Sequence, residues 1–135
     1  MESAFNKKIS AQLEFSAKIA YPGECCGILI GMRSKNGEIE ITEARDLPNQ
    51  IPDAKKNAHF LTDPLLLYQV EKELDERGLE ILGVYHSHPD CKAILSKEDL
   101  ENMVPGLLYV ILSVTKDGIA DIRCYRKKFS LGYKL

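Results

Sequence analysis

Only three histidines occur in this chain of 135 residues, and two of them stand one residue apart in His86-Ser87-His88. In an extended segment successive side chains alternate, so His86 and His88 project to one side, Ser87 points away, and both imidazoles can reach a single ion. Further along, Ser96-Lys97-Glu98-Asp99 has the spacing of one helical turn. That places Ser96 and Asp99 at neighbouring positions of one face and offers a carboxylate as third ligand. Two imidazoles and a carboxylate, with water in a fourth position, are a common catalytic arrangement for zinc. The open position lets the bound water ionise near neutral pH, and hydrolysis is the natural chemistry. Such a water needs a base to take its proton and pass it to the leaving amine, and Glu24, at a predicted loop-to-strand junction, is a candidate.

Each part alone has a plainer explanation. A His-Ser-His triplet at a strand end is equally compatible with polar loop residues. Ser96 with Asp99 is also a helix-start pattern, a capping box in its acidic form, and a lone glutamate beside a turn is ordinarily a solvated residue. The combination carries the reading, not any member of it. His59 has no partner at ligand spacing and receives no role. Cys91 follows the histidine pair closely enough to line the site, but single loop cysteines are commonly incidental. Cys25 and Cys26, adjacent on a predicted strand, point to opposite faces and cannot both bind one metal, which leaves core packing.

The elements that must position these residues are legible in the periodicity. Residues 7–20 place Ile9, Leu13, Ala17 and Ala20 on one helical face, and Tyr21-Pro22-Gly23 stops that helix. Residues 26–32 form a short apolar run, 34–37 a turn, and 38–42 an alternating strand, together a β-hairpin. Residues 47–57 show no period and read as an irregular crossing. Asp63-Pro64 supplies a cap and a first-turn proline for a helix with Leu67, Val70 and Leu74 inward, and Gly78 ends it. Residues 80–85 form a mostly buried strand that runs directly into the two histidines. A short helix from Ser96, a break at Pro105-Gly106, strands over 107–114 and 119–125 and a last strand near the C-terminus complete the pattern. The sum is three helices interleaved with five or six strands, a layered α/β fold with a mixed sheet flanked by helices.

Composition agrees with one compact domain spanning 1–135. The chain is 44% hydrophobic and 28% charged, the balance of a soluble globular protein. A net charge of -2 with scattered lysines and arginines gives no footprint for nucleic acid or anionic membrane. The polar first ten residues lack the apolar stretch of a signal peptide, and no run reaches membrane-spanning length, so the cytoplasm is the expected compartment. Four cysteines lack both secretory context and CxxC spacing and read as reduced thiols.

Taken together, Glu24, His86-Ser87-His88, Ser96 and Asp99 resemble the JAMM signature of MPN-domain metallopeptidases. That signature is an upstream glutamate, then HxH, seven residues, Ser, two residues and Asp. The likeness extends to residues 22–31, 78–90 and 109–114, which resemble the short prokaryotic branch of that family. The resemblance implies a cytidine-deaminase-like layered fold and one zinc ion on His86, His88 and Asp99. It further implies Glu24 as general base and Ser96 as donor to the tetrahedral oxyanion, a role that helix capping by the same hydroxyl would contest. It also implies a ubiquitin-like sulfur-carrier protein as substrate, cut behind its Gly-Gly tail. A deubiquitinase-like isopeptidase and a non-catalytic MPN-type module binding a ubiquitin-like protein are the alternatives within the family. Residues 91–95, Cys-Lys-Ala-Ile-Leu, depart from the small or proline-rich sequence short relatives often carry there, and leave substrate preference open. Outside the family, a non-haem iron oxygenase would want an HxD/E order and a zinc deaminase an HxE with PCxxC; neither is present.

Overall fold

The computed structural model describes residues 6–47, 64–101 and 103–127. The expected irregular crossing beyond Leu47, the Asp63 cap, His59 and the last C-terminal strand lie outside them. Among the described residues the order is α1 (Lys7–Ala20), β1 (Cys26–Arg33), β2 (Ile39–Asp46), α2 (Pro64–Glu76), β3 (Glu80–Pro89), α3 (Lys97–Glu101), β4 (Leu108–Thr115) and β5 (Gly118–Arg126). No helix among them is long and apolar enough to cross a membrane.

The strands form one sheet in the order β2-β1-β3-β4-β5. β1 is antiparallel to both β2 and β3, β3 runs parallel to β4, and β5 returns antiparallel to β4. The sheet is therefore mixed, as the alternation of hairpins and helical crossovers requires. β3 lies at its centre.

Each face carries its own core. α1 covers one face through Ile9, Leu13 and Ala17, packed with Leu29, Tyr85, Val110 and Leu112. Asn6 caps that helix, its Oδ1 accepting from the Ile9 amide at 2.9 Å, and Ser16 donates to Asp46 at 3.0 Å to fix the helix over β2. Gly27 is needed beneath it: a Cβ there would lie 2.3 Å from the Tyr85 ring and from the Arg45 carbonyl oxygen. The Tyr85 hydroxyl crosses that gap to donate to Asp46. Burial, followed by the Asp46 contact, pushes the Tyr85 hydroxyl pKa far up.

α2 covers the opposite face, with Leu74 fully buried and Leu67 and Val70 partly so, against Ile28, Ile30, Val84 and Ile111. It ends in a Schellman arrangement in which Leu79 donates to the Leu74 carbonyl at 2.8 Å and Gly78 to Asp75 at 3.1 Å, Gly78 adopting φ +73°. Arg45 on β2 grips Glu73 of α2 through two bonds of 2.9 and 2.8 Å. Arg77 reaches back to Glu43 at 2.9 Å. The helix is thus clipped to the sheet edge by charge as well as by leucine packing.

The extent of β2 differs from expectation. β2 runs past Thr42 to Asp46, its pairing with β1 continuing across a register shift between Ile30 and Gly31. The bulge leaves Thr42 as the extra residue, so the buried positions pass from Ile41 to Ala44, and the two-residue period by which the strand was read is broken there.

Candidate metal centre

The central strand carries the histidines. β3 runs through Pro89, so His86 and His88 are strand residues rather than residues beyond a strand end, and their backbones pair with Ile111 and Ser113 of β4. Alternation works as expected: His86 and His88 share the face of Val84 and Ile111, and Ser87 turns to the other. The two Nε2 atoms converge to 2.9 Å, with ring centroids 4.8 Å apart. His86 is buried and His88 half-buried. Burial, then the neighbouring His88, holds the His86 pKa down to about 4 against the opposing pull of Asp99, so this imidazole is neutral at physiological pH. His88 Nδ1 meets the Lys92 carbonyl oxygen at 2.8 Å. A carbonyl only accepts, so Nδ1 carries the hydrogen and Nε2 presents its lone pair inward.

Glu24 arrives from the β1 side. Cys26 pairs with His86 in antiparallel register; continued two residues beyond the end of the ladder, that register would set Glu24 across from His88. Ser87, fully buried, holds this junction with two bonds: its amide donates to the Cys25 carbonyl at 3.0 Å and its Oγ accepts from the Cys25 amide at 2.9 Å. The residue that alternation pointed away from the histidines thus anchors the segment bearing the glutamate. Cys25 packs in the α1-side core, where burial raises its thiol pKa to about 11; Cys26, opposite His86, is on the other face. Core packing holds for Cys25, and Cys26 is buried too. Tyr21 closes the mouth of the same loop, its hydroxyl donating to both carboxylate oxygens of Asp90 at 3.0 Å.

Ser96 and Asp99 arrive from the crossover between β3 and β4. They form the expected reciprocal cap: Asp99 N–H donates to Ser96 Oγ at 3.0 Å, and Ser96 N–H to Asp99 Oδ2 at 3.2 Å. In that bond the Ser96 hydroxyl accepts, which leaves its own hydrogen to donate elsewhere. Capping and donation to an oxyanion therefore do not compete. Asp99 is half-buried and near enough to raise the His86 pKa, while one of its oxygens is engaged with the Ser96 amide. Among the described residues no three or more His, Cys, Asp or Glu side chains pack closely enough to grip an ion. The structure unites the two histidines and brings Asp99 within electrostatic reach of His86, and it fixes Cys25, the neighbour of Glu24, against Ser87. Exposed Cys91 contributes its carbonyl, which accepts from Ser113 Oγ.

Ser87, Ser113 and Tyr125 are the contacts that sequence reading missed. Their partners lie far off in the chain, and the only local signal was the alternation that turned Ser87 from the histidine face.

A mixed sheet between helical layers, with a His-x-His pair on its central strand and a Ser-x-x-Asp turn after it, defines the JAB/MPN class. The family model of prokaryotic homologs of the JAB domain matches residues 7–126, and the chain belongs to that family. Among curated relatives, a probable TtuB-protein conjugate cleaving protease of Thermus thermophilus is 34% identical over 98 residues, 73% of this chain and 60% of the relative. A desampylase of Pyrococcus furiosus is 30% identical over 80 residues, 59% of this chain and 51% of the relative. The chain thus spans between half and two thirds of the length of these relatives. A protein of Salinibacter ruber solved in solution aligns with TM-score 0.63 at 27% identity, covering 96% of this chain and 94% of its own. A JAB1/MPN domain protein from Archaeoglobus fulgidus shares the fold, with TM-score 0.54 at 21% identity over 87% of this chain and 82% of its own.

Proposed function

We propose that this protein is a zinc-dependent metallopeptidase that hydrolyses an amide bond behind the C-terminal Gly-Gly tail of a ubiquitin-like sulfur-carrier protein. The observation that carries the reading is the convergence of the His86 and His88 Nε2 atoms to 2.9 Å, with the outer nitrogen of His88 fixed on a backbone carbonyl. Two relatives whose names denote cleavage of protein conjugates support the substrate class.

The donor set suits zinc. His86 and His88 through Nε2, and Asp99 through its carboxylate, would hold one ion, and an oxygen bonded to one amide still has lone pairs to share. Bound there, zinc supplies Lewis acidity toward the scissile carbonyl and a lowered pKa for water. Glu24, opposite His88, takes the proton of the attacking water and returns it to the leaving amine. Ser96 donates its hydroxyl hydrogen to the oxyanion. A diglycine tail suits this reading, since only glycine lets a substrate backbone lie so close to a site.

A second reading, a non-catalytic module that binds such a carrier, draws on the Asp99 oxygen turned toward Ser96. Zinc-loaded protein incubated with sulfur carriers extended beyond Gly-Gly separates the two when followed by intact mass. The extension is lost with the wild type. Glu24→Gln keeps its zinc and slows release by about 10²–10⁴-fold, the usual weight of a general base. Intact carriers beside cleaved ubiquitin chains would move the substrate to ubiquitin, and absence of zinc binding would leave the binding module.

A further inference from the structure

The segment that carries the chain from the histidines to α3 is held in an unusual way. Three consecutive carbonyls are each taken by a side chain from a different strand. Ser113 Oγ of β4 donates to Cys91 O, His88 Nδ1 of β3 to Lys92 O at 2.8 Å, and the Tyr125 hydroxyl of β5 to Ala93 O at 2.7 Å. Ser113 pairs with His88 and Tyr125 with Tyr109, so all three rise from the face that bears the histidines. The segment lies on the sheet as a strap, with Ala93 and Leu95 buried between exposed neighbours.

We infer that Ser113 and Tyr125 are positioning residues for the metal centre, acting on His88 through the carbonyls on either side of its own partner. The inference rests on the proposed reading of His88 as a ligand. The Cys91 and Ala93 carbonyls are drawn toward β4 and β5, and the Lys92 carbonyl between them toward β3. Because peptide units are planar, fixing the two flanking carbonyls leaves the Lys92 peptide little freedom to turn away. The bond it accepts selects the Nδ1–H tautomer and the ring orientation that keep Nε2 available. Outer contacts of this kind are typically worth 10–100-fold in metal affinity. No other described hydroxyl does this work: Tyr109, on the same face, accepts instead from the Val104 amide at 2.7 Å, beyond the strap, and so serves as an internal control.

The test is zinc affinity measured by competition with a chromophoric chelator, with folding followed by circular dichroism. Ser113→Ala and Tyr125→Phe should each weaken zinc binding about tenfold, and Ser113→Thr, which keeps a hydroxyl, should restore it. Tyr109→Phe should lower thermal stability with zinc affinity unchanged. In the metal-free protein, nitrogen NMR should show the His88 Nδ1–H tautomer dominant in the wild type and depleted in both strap variants. Should Ser113→Ala fail to fold, Tyr125→Phe, which loses one oxygen, carries the test alone. Wild-type affinity in the strap variants, or an equal loss in Tyr109→Phe, overturns the inference. A wild type that binds no zinc overturns the reading beneath it.

Discussion

His86 and His88 stand on β3, which is paired along both edges, whereas Ser96 and Asp99 reach the same region on a crossover held by side-chain hydrogen bonds. On the strand side, the ladder to β4 sets the position of both Cα atoms, that to β1 holds His86 a second time, and alternation does the rest. On the crossover side, the position of α3 depends on three carbonyls captured by Ser113, His88 and Tyr125 and on a single turn of capping. The difference is visible in the outcome. The two histidine nitrogens lie 2.9 Å apart, while Asp99 is bonded to its own helix start. Donors borne on paired strands come pre-formed; donors borne on a crossover are held by contacts that single substitutions can remove.

The largest effect is expected of His88→Ala. It removes a ligand and the strap's central donor at once, so zinc affinity should fall by more than the roughly 100-fold upper end for outer contacts, with turnover lost in step. Equilibrium dialysis with metal analysis measures it, and affinity within tenfold of wild type would remove His88 from the ligand set. Next in size is Ser96→Gly. Glycine is a tolerable cap, so stability should fall by only a few tenths of a kcal/mol, while loss of the oxyanion donor should reduce kcat by about 10²–10³. If kcat and thermal stability both change little, Ser96 does no more than cap α3.

The smallest effect lies outside the site. Arg77 first, then Arg45, hold the Glu43 carboxyl below its ordinary range. A depressed carboxylate adds stability above its unfolded pKa and loses it as pH falls through the folded one. Glu43→Gln should therefore cost about 0.5 kcal/mol at neutral pH and flatten the acid limb of stability against pH. Urea midpoints measured at pH 7 and pH 3.5 read both. An unchanged acid limb would show that Glu43 adds nothing to the clip between β2 and α2.

Sequence made the strand side of the site readable and left the crossover side half read. His-Ser-His discloses its geometry because the period of a strand is two, and Ser-x-x-Asp because that spacing is one helical turn. Leu74, Val70 and Gly78 likewise announce α2 and its end by local rules. Ser113 and Tyr125 announce nothing, since their partners at Cys91 and Ala93 are joined to them only through the order β3-β4-β5, which no local pattern encodes. The end of β2 fails for a related reason. A bulge beside Ile30 shifts the buried set by one residue, and a period cannot be read across its own interruption.

The central place of β3 also sets how the site comes apart. Exposing the backbone of His86 or Ser87 to solvent means separating β3 from neighbours on both sides, an opening close in free energy to unfolding the whole sheet. Residues 91–101 have no strand partner and are held by side-chain bonds and the burial of Ala93 and Leu95, so they open at a lower free energy than β3. Amide hydrogen exchange across the site is therefore graded. The histidine strand exchanges only when the molecule unfolds, and the segment bearing Ser96 and Asp99 exchanges by its own local opening, so one wall of the site can loosen while the other stays fixed.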